Sequence, residues 1–202
     1  MSHIVVSELE YAHPGGDSLF FDISFGVSPG DKAAIVGANG VGKSTILRIL
    51  SGQLTPDEGE FTVGGTVLTM TQDVGMSRPT DTLREMLIEV APPELHRAGL
   101  ALIDAERSMA DGSDDGMAYA TALTEWGDLG GYELEADWAA AAERSVKTGV
   151  ADVATRLVGE LSGGERKRLV LDLLFNSKAD VLLLDEPDNY LDIPTRVWLE
   201  QQ

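Results

Sequence analysis

A glycine-rich stretch between two apolar segments constrains this chain most strongly. Gly37-Ala38-Asn39-Gly40-Val41-Gly42-Lys43-Ser44-Thr45 matches the phosphate-binding pattern G-x-x-x-x-G-K-[ST]. The segment before it, Ala33–Val36, predicts a buried strand, and the segment after it, Ser44–Leu50, predicts a helix. Glycines let successive backbone N–H groups point into one concavity, Lys43 adds a charge for the outer phosphates, and the Ser44 hydroxyl can bind Mg²⁺. The alternative is a glycine turn before an ordinary helix, but strand, loop and helix together favour a phosphate site.

Charge is distributed unevenly along the 202 residues. The net charge is −19, from 34 acidic and 15 basic residues. Residues 30–55 carry a local charge of +2, whereas residues 73–143 carry sixteen acids against four arginines. Exposed charges are screened beyond about 8 Å at physiological salt, so a phosphate site can be locally positive inside an acidic protein. The acidic segment is a poor candidate for nucleic-acid contact, and solvated helix faces explain it better.

The composition excludes several classes of protein. The hydrophobic fraction of 43% is typical of a soluble globular domain. No apolar run approaches the roughly 20 residues that a membrane helix needs, and the N-terminus lacks the pattern of a signal peptide. The chain has no cysteine, which excludes disulfides and thiolate metal sites. We therefore expect a cytoplasmic protein without membrane insertion.

The pattern of apolar residues changes along the chain. The first part predicts strands at Ile4–Tyr11, Leu19–Val27, Phe61–Val63 and Thr66–Met70, joined by turns rich in Gly, Pro and Asp. The middle part, about residues 80–148, is rich in Ala, Leu and Glu and predicts helices.

Three features of the middle part give more specific expectations. Thr82 and Glu85 have the spacing of a capping box. The break at Asp111–Gly116 resembles the start of a calcium loop, but Ala122 stands where a bidentate Glu is required, so we expect a helix–helix loop. The large aromatic residues of this part are predicted to be core or packing residues, and they are Trp126, Tyr132 and Trp138.

Two further stretches place polar side chains where chemistry is expected. Leu161–Glu165, with the sequence LSGGE, opens a predicted helix that Ser162 can cap. Val181–Leu184 predicts a strand covered on both faces, and it ends in Asp185 and Glu186. Asp185 can hold Mg²⁺, and Glu186 is placed to orient or deprotonate a water that attacks a γ-phosphate. The alternative is a strand ending at a solvated acidic turn, which the order of the three motifs disfavours.

In this order the motifs resemble those of the ATP-binding cassette (ABC) ATPases. The resemblance rests on the glycine-rich stretch, Gln72, the LSGGE stretch and Leu182–Pro187, and it spans nearly the whole chain. It implies a phosphate-loop α/β fold with a mixed sheet, an antiparallel β-subdomain and an inserted helical subdomain. Taken as one cassette, the chain divides into residues 1–77 (β-subdomain and phosphate-loop core), 78–160 (helical subdomain) and 161–202 (signature helix, Walker B strand and D-loop).

The resemblance also implies roles for single residues. ATP is sandwiched between two cassettes, so that the phosphate loop of one faces the Ser-Gly-Gly signature of the other. Glu186 is the implied catalytic residue. Tyr11 matches the aromatic residue that stacks on adenine, and the equally weighted alternative is a packing tyrosine at a strand end. The implied nucleotide-binding residues are Tyr11, Gly37, Asn39, Gly40, Gly42, Lys43, Ser44, Thr45 and Gln72; the Mg²⁺ ligands are Ser44, Gln72 and Asp185; the signature is Ser162, Gly163, Gly164 and Glu165; and Asp192 belongs to the D-loop.

The residues after the acidic pair indicate the class of cassette. Asn189–Asp192 continues into a segment with Trp198-Leu199-Glu200, which resembles the ABC-F class, although Tyr190 stands where that class has His and Asp188 where it has Thr. Residues 126–133 also resemble the helical subdomain of that class. ABC-F proteins have two cassettes in one chain, no membrane domain, and ribosome-linked roles in translation or antibiotic resistance. The resemblance therefore implies an ATPase that acts on the ribosome.

The family's switch histidine follows a strand beyond Asp192, but the histidines of this sequence, His3, His13 and His96, all come earlier. We therefore expect an N-terminal cassette whose last part, second cassette and tRNA-reaching linker lie outside the sequence. Such a chain is expected to bind Mg·ATP but to hydrolyse it very slowly by itself.

Two other functions stay open at this point. The first is an ATP-binding subunit of a membrane transporter. Transporter cassettes usually carry Ser-Ala-Leu-Asp at Asn189–Asp192, and the 89 positions from Gln72 to Leu161 are many for a transporter. The second is a chromosome-type structural ATPase, which the lack of a sustained heptad pattern disfavours.

Overall fold

Strands dominate the first part of the chain and helices the middle, as the sequence predicts. The computed structural model describes residues 3–72, 79–113, 116–146, 153, 155–189, 191 and 193–201. Two compact units form: the first unit is Met1–Thr69 with Lys178–Asp185, and the second unit is Met70–Ser177 with Glu186–Gln202. The elements are β1 (Ile4–Ala12), β2 (Ser18–Val27), α1 (Lys43–Leu50), β3 (Glu58–Val63), β4 (Val67–Met70), α2 (Leu83–Ile88), α3 (Pro93–Ala110), α4 (Met117–Asp128), α5 (Gly131–Val146), a 3₁₀ turn (Val158–Glu160), α6 (Gly163–Phe175), β5 (Val181–Leu184) and α7 (Ile193–Glu200).

The first unit contains a three-stranded antiparallel sheet in the order β2-β1-β3. Ile4 at the start of β1 lies opposite Val27 on one side and Val63 on the other. Side chains of β1 alternate between buried and exposed until Glu8, whose φ of 51° marks an irregularity where the register shifts. The shift returns Leu9 to the buried face, so one extra residue preserves the apolar side of the strand.

The core of the first unit lies between this sheet, one face of α1 and β5. Helix α1 buries residues at a spacing of three and four, which is the pattern of an amphipathic helix. The buried core residues are Ile4, Val6, Leu9, Phe20, Ile46, Ile49, Leu50, Val181 and Leu183.

The predicted buried strand at Ala33–Val36 is wrong. No strand forms there, and Val36 is 88% exposed. A strand depends on backbone hydrogen bonds to a neighbour as much as on its own apolar side chains. Within the described part of the chain, β5 pairs with β4, and no strand pairs with this segment.

Strand β5 forms at the residues that the sequence predicts and pairs with β4. Asp180 fixes the start of this pairing, because its backbone N–H donates to the Thr66 carbonyl (2.9 Å) while its carboxylate accepts from the Thr66 N–H (2.8 Å). Val181 and Leu183 are buried, whereas Leu182 and Leu184 are only half-buried, so one face is covered more fully than the other.

Helices α2 to α5 occupy the middle of the sequence, as predicted, within the second unit. Trp126 and Trp138 are fully buried, with ring centroids 6.0 Å apart, which confirms them as core residues. Gly131 is required beside them, because a Cβ there would lie 2.1 Å from the Trp126 indole. Tyr132 differs from the two tryptophans: it is 52% exposed and its ring lies against Gly127, so it packs at the surface rather than in the core.

The connections between these helices follow the predicted local signals. The Asp111–Gly116 segment joins α3 to α4 as a helix–helix loop, with Asp114 and Asp115 outside the described residues. The predicted capping box is present at α2, because Thr82 accepts from the Glu85 N–H (3.2 Å) and Glu85 accepts from the Thr82 N–H (2.6 Å). Arg107 on α3 donates to the second oxygen of Glu85, so one carboxylate caps a helix and pairs with a cation.

Glu85 makes the stability of the second unit depend on pH. Burial raises the pKa of Glu85, but the hydrogen bonds from Thr82 and the charge of Arg107 outweigh it, so the pKa lies below its usual 4.5. A lowered folded-state pKa gives stability that is complete above the unfolded-state pKa and is lost as the pH falls through the folded-state value.

Replacing Glu85 with Gln tests this dependence. Since surface ion pairs are weak, we expect the melting temperature at pH 7 to fall by only about 1–3 °C. The difference should shrink towards zero as the pH falls below the usual pKa of 4.5 and through the lower folded-state value. Circular-dichroism melts between pH 7 and pH 3 measure it, with Glu143→Gln on the exposed side of α5 as the matched control. A pH-independent difference would contradict the assignment.

Within the described residues, none of the helices has the length and the apolar composition needed to cross a membrane.

Candidate functional site

The glycine-rich stretch forms a loop that leads directly into α1. Gly40 and Gly42 have φ values of 82° and 103°, in the left-handed region that favours glycine. Gly42 is the residue before the first turn of α1, and a Cβ there would also lie 2.7 Å from the Phe20 ring. Both the backbone conformation and the close packing therefore require glycine. Ser44 and Thr45 follow within the first turn of the helix.

The charge at this loop is positive. The Lys43 ammonium donates hydrogen bonds to the carbonyl oxygens of Gly37 (3.1 Å) and Ala38 (3.0 Å), so its side chain folds back over the loop. The first turn of α1 contains no acidic residue. The N-terminal N–H groups of a helix carry partial positive charge, which adds to that of the lysine. This combination of a full charge and aligned backbone donors suits a phosphate group.

Tyr11 is connected to the glycine-rich loop through the ring of Phe20. The two rings stack with centroids 6.2 Å apart, and His13 meets Tyr11 edge-on at 5.7 Å. Phe20 in turn packs against Gly42. These contacts give Tyr11 a packing role within the first unit, and its stacking on adenine stays a prediction.

Asp185 directly follows β5, at the end of the first unit, as the sequence predicts. It is half-buried, and so is Ser44. The carboxylate and the hydroxyl are both hard oxygen donors, which are the ligands that Mg²⁺ prefers.

Glu186 begins a turn of the second unit and is held in a defined orientation. Its φ of 47° lies in the left-handed region, which is rare for a residue with a side chain. One oxygen of its carboxylate accepts from the Gln72 amide (3.0 Å) and from the Asn189 amide, in a very short contact. The structure thus brings together Glu186 and Gln72, two of the predicted site residues.

Two members of this cluster were missed by the sequence reasoning: Asn189 as a partner of the carboxylate, and Lys167. The Lys167 ammonium donates to the carbonyl oxygens of Glu186 (2.6 Å) and Asn189 (3.1 Å). A signal for Lys167 was available, because it lies four positions before Leu171 and seven before Leu174 on the buried stripe of α6.

The LSGGE stretch opens α6 with a capping box, as predicted for Ser162. The Ser162 hydroxyl accepts from the Glu165 N–H (3.3 Å), and the Glu165 carboxylate accepts from the Ser162 N–H (2.9 Å) and hydroxyl (2.7 Å). The hydrogen bonds from the Ser162 side chain and backbone lower the pKa of Glu165, which stays ionised at neutral pH. Gly163 is exposed, and open space surrounds the position of a Cβ there. Tyr190 and Asp192 lie outside the described residues.

Comparison with known proteins agrees with these features. The model of the ABC transporter family matches residues 20–189. An antibiotic resistance protein of Mycobacteroides abscessus is 41% identical over all of this chain and 37% of its own length. An energy-dependent translational throttle protein of Haemophilus influenzae is 34% identical over 92% of this chain and 27% of its own length. A cobalt import ATP-binding protein of Rhodobacter capsulatus is 35% identical over 96% of this chain and 62% of its own length.

A solved structure shares the fold. It is an ATP-binding protein of Pyrococcus furiosus described as an ABC transporter, with a TM-score of 0.59 and 18% identity over 98% of this chain and 82% of that one. The chain spans about a third of the resistance and throttle proteins that it matches. The family model covers most of the sequence, and those two relatives carry names of the kind that the ABC-F resemblance implies. The chain therefore belongs to the ABC transporter family, as an ATP-binding cassette of the ABC-F type.

Proposed function

We propose that this chain is an ATP-binding and ATP-hydrolysing cassette of a cytoplasmic ABC-F protein that acts on the ribosome, in translation or in antibiotic resistance. The observation that carries the hydrolytic part of the proposal is the orientation of Glu186. Its carboxylate follows the strand-end Asp185 and accepts hydrogen bonds from two amides.

The loop at Gly37–Thr45 supports the nucleotide-binding part. Lys43 is held at the loop by two neutral carbonyls. A phosphate carries full negative charge, so it competes for the ammonium more strongly than a carbonyl does. Backbone N–H groups of the loop and of α1 add donors for the same anion. Asn39, Gly40 and Gly42 act in this proposal through their backbone.

The proposed Mg²⁺ ligands are Ser44, Gln72 and Asp185. Each offers a hard oxygen, and the Gln72 amide donates its N–H to Glu186, which leaves its carbonyl oxygen as an acceptor. When bound, Mg²⁺ supplies neutralisation of the charge on the phosphates.

Glu186 is proposed to orient or deprotonate the water that attacks the γ-phosphate. Phosphoryl transfer depends mainly on positioning and on charge stabilisation. A carboxylate that is already held by Gln72 and Asn189 loses little freedom when it binds the water. The left-handed backbone conformation of Glu186 costs about 1–3 kcal/mol in stability. Such conformations are common at sites where a side chain must point in one direction.

The signature of this cassette is proposed to contact the nucleotide that a second, facing cassette binds. Ser162, Gly163 and Gly164 stand at the exposed N-terminus of α6, where helix N–H groups suit a phosphate. In this proposal Ser162 gives up its hydrogen bond to Glu165 when it binds the nucleotide of the facing cassette.

Ribosomal action is supported by sequence more than by geometry. The stretch from Asn189 to Asp192 resembles the ABC-F class, and an antibiotic resistance protein and a translational throttle protein are among the relatives. The cobalt import protein supports the alternative, an ATP-binding subunit of a membrane transporter. The two alternatives place the protein in different fractions of a cell.

Fractionation tests this choice. We expect full-length protein with Glu186→Gln, which should keep ATP bound, to sediment with ribosomes in an ATP-dependent way. The matched control is Lys43→Ala, which should bind ATP poorly and stay in the soluble fraction. Sedimentation of both variants with membranes, and of neither with ribosomes, would support the transporter alternative and contradict the proposal.

A further inference from the structure

A buried lysine lies behind the turn that carries Glu186. Lys167 is only 4% exposed, although a lysine almost never lies inside a protein without partners. It occupies the apolar face of α6, between the exposed signature at the start of the helix and the buried leucines that follow. Taking an ammonium out of water is costly, so this position calls for an explanation beyond packing.

The ammonium binds both ends of the turn. It donates to the carbonyl of Glu186 at 2.6 Å and to the carbonyl of Asn189 at 3.1 Å. The Asn189 N–H also donates back to the Glu186 carbonyl, at 3.3 Å. One cation therefore fixes the distance between the first and the last residue of the turn. Hydrogen bonds from a charged donor are the stronger kind, at roughly twice the strength of neutral ones.

Glu186 and Asn189 also determine where the carboxylate of Glu186 lies. Glu186 carries it, and the side chain of Asn189 donates to it. Glu186 has the left-handed backbone conformation, which would relax without something to hold it. A lysine that holds both carbonyls therefore maintains this backbone conformation and keeps the Asn189 amide beside the carboxylate.

We propose that Lys167 is a positioning residue for Glu186: its ammonium holds the turn from Glu186 to Asn189 in the conformation that aims the carboxylate, and it ties that turn to the helix that begins with the signature. This inference rests on the proposed function, in which Glu186 acts on the attacking water. Lys167 itself does not touch the nucleotide in this proposal.

The first test separates hydrolysis from binding. Lys167→Met keeps an unbranched apolar side chain, one heavy atom shorter, and removes the donors. With the 202-residue chain in excess over Mg·ATP, we expect the single-turnover rate of hydrolysis to fall about 10- to 100-fold, as for a misplaced catalytic group, while the Kd for Mg·ATP stays within about twofold. Lys167→Arg, which keeps a charged donor, should recover a large part of the rate. The control is Lys178→Met, the same change at an exposed lysine.

The second test asks whether Lys167 acts through Glu186. In a chain that already carries Glu186→Gln, adding Lys167→Met should lower the residual rate no further, because the group that Lys167 positions is gone. A purely structural lysine would instead lower the rate in both backgrounds, and it would weaken ATP binding together with hydrolysis.

The third test does not depend on turnover. Hydrogen–deuterium exchange of the peptide covering residues 184–189 should be at least about tenfold faster in Lys167→Met than in the wild type, with the melting temperature and the exchange of α6 unchanged. Equal exchange in this peptide, or an unchanged single-turnover rate, would overturn the inference. A wild-type chain that binds no Mg·ATP would overturn the proposed function instead, while the exchange experiment would still decide whether Lys167 holds the turn.

Discussion

Glu186→Gln is expected to lower the rate of ATP hydrolysis at least about 100-fold, the range in which a positioned general base contributes, and to leave the Kd for Mg·ATP within about twofold. Glutamine has the same shape, and its carbonyl oxygen can still accept from the amides of Gln72 and Asn189. The turn should therefore keep its geometry. What the variant loses is the negative charge and the ability to take a proton from water.

Single-turnover release of phosphate measures this effect. The chain is kept in excess over ATP, so that one turnover is enough to measure the rate. Asp188→Asn is the matched control, since it makes the same chemical change at an exposed carboxylate two residues away. Equal rates for the wild type and Glu186→Gln would remove Glu186 from the mechanism, whatever its hydrogen bonds.

Features of the fold that depend only on residues close together in the sequence could be predicted from the sequence. Thr82–Glu85 and Ser162–Glu165 both form capping boxes, because a spacing of three residues at a helix start fixes the geometry locally. The glycines at 40 and 42 take the left-handed conformation that the phosphate-loop pattern requires. These features need no knowledge of what packs against them.

The strand expected at Ala33–Val36 depends on more than the local sequence. Its apolar side chains are suitable for a buried strand, but a strand also needs a partner for its backbone, and the described residues offer none to this segment. Tyr132 agrees with its prediction as a core or packing residue: it lies at the start of α5, and its ring packs on Gly127 although 52% of the residue is exposed.

Lys167 shows a different limit. Its place on the apolar stripe of α6 is visible in the sequence, but the carbonyls that it binds are 19 and 22 residues away. Which turn meets that face of the helix is decided by the packing of the second unit. The same holds for Asn189, whose side chain reaches Glu186 only because the turn between them is closed.

Lys43→Ala is expected to weaken the binding of Mg·ATP at least about tenfold, which corresponds to about 1.4 kcal/mol or more. Alanine removes the full positive charge that Lys43 places over the loop carbonyls. The backbone donors of the loop and of α1 remain, so we expect weaker binding rather than unfolding, and the melting temperature should change little. Lys32→Ala is the matched control, because Lys32 is an exposed lysine near the same loop.

Isothermal titration calorimetry of Mg·ATP into the wild-type chain and these two variants tests the assignment as an ATP-binding cassette most directly. The predicted result is saturable binding by the wild type and by Lys32→Ala, and an affinity at least tenfold lower for Lys43→Ala. Equal affinities for the wild type and Lys43→Ala, or no binding by a folded wild type, would contradict the assignment.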